Sequence, residues 1–181
     1  MLLLAVPAFA AGAYSITIRN DKEGHTYEAY QIFAGDVSSD EVQGGNVEGP
    51  TLSNIIWGSG VNDTRYAALL AALKADATIG AKFNGIDDAA DAAAIAAALD
   101  GATAADAAAF ANVVSGFLSD TLTQSTYGGG VYTIGGLDSG YYLVKDQDGS
   151  LEGDGDAATE YIVQVLGNVA MEPKDSDIPT V

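Results

Sequence analysis

The chain is predicted to be mainly β, an antiparallel sandwich that carries a helical insertion over about residues 62–120. Three observations predict it. Short stretches of alternating apolar and polar residues stand at both ends of the chain, as in Tyr14-Ser-Ile-Thr-Ile-Arg19 and Tyr161-Ile-Val-Gln-Val-Leu166. The middle of the chain switches to apolar residues at helical spacing and to long alanine runs. Glycine- and acid-rich segments separate the strand-like stretches from one another.

Tyr14–Arg19 is a half-buried first strand, and Asn20-Asp-Lys-Glu-Gly24 is turn chemistry. His25 to Phe33 is a second strand, expected to pair with the first as a hairpin. His25, the single histidine, has no acid or nucleophile at a telling sequence distance and is read as a residue at the start of that strand. Residues 35–50 form a surface loop. In Leu52-Ser-Asn-Ile-Ile-Trp57 the apolar Leu52, Ile55 and Ile56 fit one helical turn, with Trp57 packed beside it.

From Asn62 the period is helical. Asp63 can cap a helix with the stripe Tyr66, Leu69, Leu70 and Leu73. The alanine run from Asp87 to Leu99 stops at Asp100-Gly101. Thr103 and Asp106 have capping-box spacing ahead of the stripe Phe110, Val113, Val114, Phe117 and Leu118. Leu69, Leu73, Phe110, Val114 and Phe117 are expected to be buried against the sheet. Strands resume at Gly130–Ile134, Tyr141–Lys145 and Tyr161–Leu166, and Val169–Met171 continues the last of them. Pro173 ends it, because proline lacks the donor that a central strand needs.

A net charge of −18 argues against nucleic acid and anionic membranes as partners. The chain has no cysteine, so a secreted form has no disulfides. Met1 to Ala13 has an apolar core, Pro7 and small-x-small sites, and is read as the remnant of an export signal, with an edge strand as the alternative. Residues 14–174 are then one domain and residues 175–181 a linker to a following one. There is no Gly-x-Ser-x-Gly and no recognisable carboxylate pair, so no enzyme and no cofactor are expected.

The segments Tyr14-Ser-Ile-Thr-Ile18, Gly24-His-Thr-Tyr-Glu-Ala-Tyr-Gln-Ile-Phe-Ala-Gly-Asp36, Leu52-Ser-Asn-Ile-Ile-Trp-Gly-Ser-Gly-Val61 and Gly136-Leu-Asp-Ser-Gly-Tyr-Tyr-Leu-Val-Lys-Asp146, followed by Pro173-Lys174, resemble the N-terminal domain of isopeptide-type shaft (backbone) pilins of Gram-positive fimbriae. The resemblance implies a CnaB-like or immunoglobulin-like sandwich in a secreted, cell-wall-attached pilus. It implies head-to-tail pilin partners and a class C sortase that joins the next subunit to Lys174. Glu172, Pro173 and Asp175 flank that lysine in place of the family's Tyr-Pro-Lys-Asn. Related pilins often hold an internal Lys–Asn amide with a carboxyl nearby. Here Arg19 stands at the lysine position and Asp146 is the nearest counterpart of the acid. Arginine stays charged and cannot serve as the nucleophile, so no internal amide is expected and Arg19 should instead make polar contacts.

Asp146, Asp148, Glu152, Asp154 and Asp156 resemble a calcium loop in composition but not in spacing, so a solvated acidic loop is expected and no metal. The alternative to a shaft subunit is a secreted adhesin module that binds a host glycan or protein. A concave aromatic patch away from Lys174 would favour it.

Overall fold

The protein is described here by a computed structural model over residues 12–38, 42–43, 46–47, 50–147 and 160–172. In chain order the strands before the helices are β1 (Tyr14–Arg19), β2 (Tyr27–Val37), β3 (Val42–Gln43), β4 (Asn46–Val47) and β5 (Leu52–Trp57). The helices are α1 (Tyr66–Ala75), α2 (Gly80–Phe83), α3 (Ala92–Ala98) and α4 (Ala104–Ser115). The strands after them are β6 (Thr123–Gln124), β7 (Thr126–Gly128), β8 (Val131–Leu137), β9 (Gly140–Asp146), β10 (Tyr161–Val165) and β11 (Val169–Met171).

The strands form two main sheets, one in the order β11-β1-β8-β7 and the other in the order β10-β9-β2-β5 with β6 also on β2. β3 and β4 pair with each other. Between the two main sheets lie Ile16, Ile18, Tyr132 and Ile134 from one side and Tyr27, Ala29, Tyr142 and Val144 from the other. The alternate residues Tyr30, Ile32 and Leu143 face the opposite way and pack with Leu69, Leu73, Phe110 and Val114 of the helices. The second sheet is therefore apolar on both faces, and the fold has three layers: sheet, sheet, helices. This explains why β2 is buried along most of its length, whereas β1 alternates.

The helices start and stop where short-range chemistry dictates. Asn62, one residue earlier than expected, caps the first turn by accepting from the Thr64 amide. Asp91 accepts from the Ala94 amide, which delays the alanine helix to Ala92. The helix then ends before Gly101, whose φ of +66° is the left-handed geometry of a helix stop. The capping box is present: the Asp106 amide donates to Thr103 Oγ1 at 3.2 Å, and the Thr103 amide donates to Asp106 Oδ2 at 2.9 Å. Leu69, Leu73, Phe110 and Val114 are buried, while Phe117 is half-buried beneath the Arg65 guanidinium at 4.4 Å.

Four expectations are corrected. β1 and β2 are not a hairpin; they belong to different sheets, β1 pairing with β8 and β11, and β2 with β9, β5 and β6. The sandwich is not wholly antiparallel, because β11 runs parallel to β1. Val169–Met171 does not continue β10: the chain turns at Leu166–Asn168 and crosses to the other sheet.

The fourth concerns Leu52–Trp57, which is a strand and not a helical turn. Ser53 pairs with Asp36 and Ile56 with Ala34, so β5 holds one residue more than β2 over that interval. The extra residue is a bulge at Asn54, which takes φ of +50° and donates from Nδ2 to Asp36 Oδ2 at 2.7 Å. Asparagine tolerates that backbone better than most residues. By shifting the alternation one step, the bulge puts Leu52 and Ile55 three residues apart on the buried side, which imitates a helix.

Candidate functional site

The candidate site is the end of the sandwich from which the C-terminal segment leaves. β11 is an edge strand, with Ile16 opposite Val169, Thr17 opposite Ala170 and Ile18 opposite Met171. Being parallel to β1, it ends where β1 runs into the Asn20–Gly24 turn. The start of β11 is fastened as well, since the Ser15 amide donates to Asn168 Oδ1 at 3.0 Å. Glu172 is exposed at the end of this strand. Pro173, Lys174 and Asp175 lie outside the described residues, as do Asp148, Glu152, Asp154 and Asp156.

Beneath that turn is a buried polar cluster drawn from distant parts of the chain. His25 Nδ1 lies 3.0 Å from Asp146 Oδ2, both side chains being almost fully buried. The His25 amide donates to Tyr132 Oη at 3.2 Å, and Tyr132 Oη donates to the Lys22 carbonyl at 2.8 Å. Asn20 Nδ2 donates to Tyr27 Oη at 2.9 Å. The rings of His25, Tyr27 and Tyr132 touch one another, with Tyr27 and Tyr132 edge-to-face at 5.0 Å. Burial pushes the Tyr132 phenol above its ordinary range, and the negative charges nearby act in the same direction. It stays a hydrogen-bond donor at neutral pH and fixes the Asn20–Gly24 turn that joins β1 to β2.

The sequence missed this cluster. Asp146 is 121 residues from His25 along the chain, yet it faces Tyr27 across the β2–β9 ladder, two residues on from His25. Glu28 also went unnoticed. It is buried, accepts from Tyr30 Oη at 2.8 Å and from Gln124 Nε2 at 3.3 Å, and stands opposite Lys145 in register. Opposed charges in adjacent strands were the available signal, legible only once the register is known.

Arg19 departs from expectation. It is exposed, and no hydrogen bond or ion pair holds its guanidinium among the described residues. Asp146, taken as the counterpart of an amide-forming acid, is engaged with His25. No group of three or more potential metal-ligating side chains converges among the described residues. At the other end of the chain, the Gly12 amide donates to Asp138 Oδ1 at 2.7 Å; of the segment Met1–Ala13, read as an export signal, residues 1–11 lie outside the described residues. No helix among the described residues is long and apolar enough to cross a membrane.

No protein-family model matches the chain, and no curated protein matches it in sequence. Among solved structures it is similar to the full-length major pilin SpaD of Corynebacterium diphtheriae, with 17% identity and a TM-score of 0.38. That similarity covers 94% of this chain and 31% of the pilin, so the chain spans about a third of that protein's length.

Proposed function

We propose that the chain is a structural domain of a sortase-assembled surface pilus and that Lys174 is the amine to which the next subunit is joined. The reading rests on the sequence pattern of the four strand segments and the Pro173-Lys174 exit. One structural observation carries it further: the last described strand is clamped at the edge of a sheet, parallel to β1, and ends just before that exit. Lys174 follows three residues after Met171, the last residue of that strand. In this reading the sandwich is of the CnaB or immunoglobulin type, the helices are an insertion, and residues 14–174 form one domain joined by residues 175–181 to the next. The protein is exported, is not itself an enzyme, and meets other pilin subunits head to tail and a class C sortase.

The covalent step is an acyl transfer. The Lys174 amine attacks the thioester between the sortase cysteine and the preceding subunit's C-terminal carbonyl. The amide forms as the C–S bond breaks, the cysteine leaves as thiolate, and the lysine gives up a proton. An ordinary lysine is charged at neutral pH, so the enzyme must desolvate it and supply a base on docking. Glu172, Asp175 and Asp177 then serve to orient the segment. Lys174→Arg keeps charge and length but removes the usable nucleophile. Co-expressed with its sortase, the full-length protein should give a high-molecular-weight ladder in the denatured cell-wall fraction. The variant should give none while secreting monomer normally. A ladder that persists in a folded Lys174→Arg variant refutes the assignment.

A further inference from the structure

On the helical side of the second sheet, a cleft of about 580 Å³ opens between the segment after β5 and the segment after α4. Its volume is that of a small-molecule site. Its two walls are fastened to each other by backbone: the Asn62 amide donates to the Phe117 carbonyl and the Ser119 amide to the Gly60 carbonyl, both at 2.9 Å. Val61 and Leu118 form a bridge between them, and Ser119 Oγ donates to the Ser59 carbonyl at 2.6 Å. The first wall is also pressed into β2. A Cβ on Gly60 would lie 2.6 Å from the Gln31 backbone nitrogen, so only glycine fits there.

One side of this cleft is the end of a column of rings. Phe110 stacks on Phe33 at 6.0 Å, Phe33 on Trp57 at 5.2 Å, and Trp57 on Tyr66 at 4.9 Å. Trp57 is held edge-on as well, its Nε1 donating to the Ala89 carbonyl at 3.3 Å. Tyr66 is the last ring and lines the cleft. Its hydroxyl and the carboxylates of Asp63 and Asp120 bond to nothing among the described residues. Burial, with Asp63 second, raises the Tyr66 phenol above its ordinary range, so it remains a neutral donor.

We propose that this cleft binds a neutral saccharide, with Tyr66 against the C–H face of a sugar ring and Asp63 and Asp120 accepting from its hydroxyls. A flat ring braced from behind presents area at little entropic cost, and free carboxylates are strong acceptors for hydroxyl donors. An anionic ligand would meet the two carboxylates and a chain of net charge −18. A purely apolar ligand would desolvate those carboxylates without compensation. The inference makes no use of Lys174, so it stands or falls apart from the pilus reading.

Trp57 is the only tryptophan and lies directly behind Tyr66, which makes its fluorescence the reporter. The 181-residue chain would be titrated with chitotetraose, cellotetraose, maltotetraose and lacto-N-neotetraose, with 3′-sialyllactose and tetralysine as anionic and cationic controls. At least one neutral sugar should give a saturable change. Tyr66→Ala should weaken it about tenfold, the loss of one stacking contact. That substitution also loosens the ring column, so Asp63→Asn combined with Asp120→Asn, at the surface, is the independent variant and should weaken binding with an unchanged melting point. The proposal is overturned if no neutral sugar saturates at millimolar concentration, if the carboxylate variant binds as tightly as the parent, or if only a charged control binds.

Discussion

Tyr132 concentrates the chemistry of the turn end in one hydroxyl, which accepts from the His25 amide and donates to the Lys22 carbonyl. Tyr132→Phe keeps the ring and its edge-to-face contact but leaves both backbone groups short of a partner. That should cost about 1–3 kcal/mol and lower the melting temperature by about 2–4 °C per kcal/mol. Tyr127→Phe on the exposed neighbouring ring should change stability by less than about 0.5 kcal/mol and serves as the control. Tyr142 makes a second prediction. Burial, then Asp138, pushes its phenol up to about 12. A folded value above the unfolded one means that its stabilising contribution is complete below about pH 10 and is lost as pH rises towards 12. Alkaline unfolding followed by circular dichroism should therefore be shallower over that interval in Tyr142→Phe.

At the scale of elements, α4 depends on its reciprocal cap. The Asp106 carboxyl is held below the ordinary carboxylate range, chiefly by the Thr103 amide and further by Lys82, whose Nζ is 3.7 Å away. Because the folded value is depressed, its contribution is present above the unfolded pKa and fades as pH falls through the folded one. Thr103→Ala should cost about 1 kcal/mol near neutral pH. Asp106→Asn should flatten the acid limb of the stability curve, and an unchanged limb would remove the cap from the explanation. This element was legible in advance because cap and stripe are local patterns. The two faces of β2 and β9 were not, for the helices that cover one of them arise elsewhere in the chain. β5 was misread for a sharper reason: one bulged residue at Asn54 converts a period of two into a spacing of three. His25 and Asp146 are separated by 121 residues, so only the β2–β9 register brings them together. The Pro173-Lys174 exit was read wholly from sequence and lies outside the described residues.

At the scale of the molecule, the parallel placement of β11 beside β1 has a mechanical consequence. Pulling β1 from Tyr14 and β11 from Glu172 drags the two strands in opposite directions along their length. The three register pairs are then loaded in shear and must yield together, whereas an antiparallel neighbour pulled from its free end would peel one pair at a time. An optical-trap experiment with handles at residues 14 and 172 should rupture at higher force than one with handles at residues 14 and 137, which works against the antiparallel β1–β8 pair. Equal rupture forces would show that this clamp does not resist load. Were Lys174 the linked residue, as proposed, tension in a fibre would enter at that side chain and leave along the residues that follow it. The sandwich would then hang beside the load-bearing line.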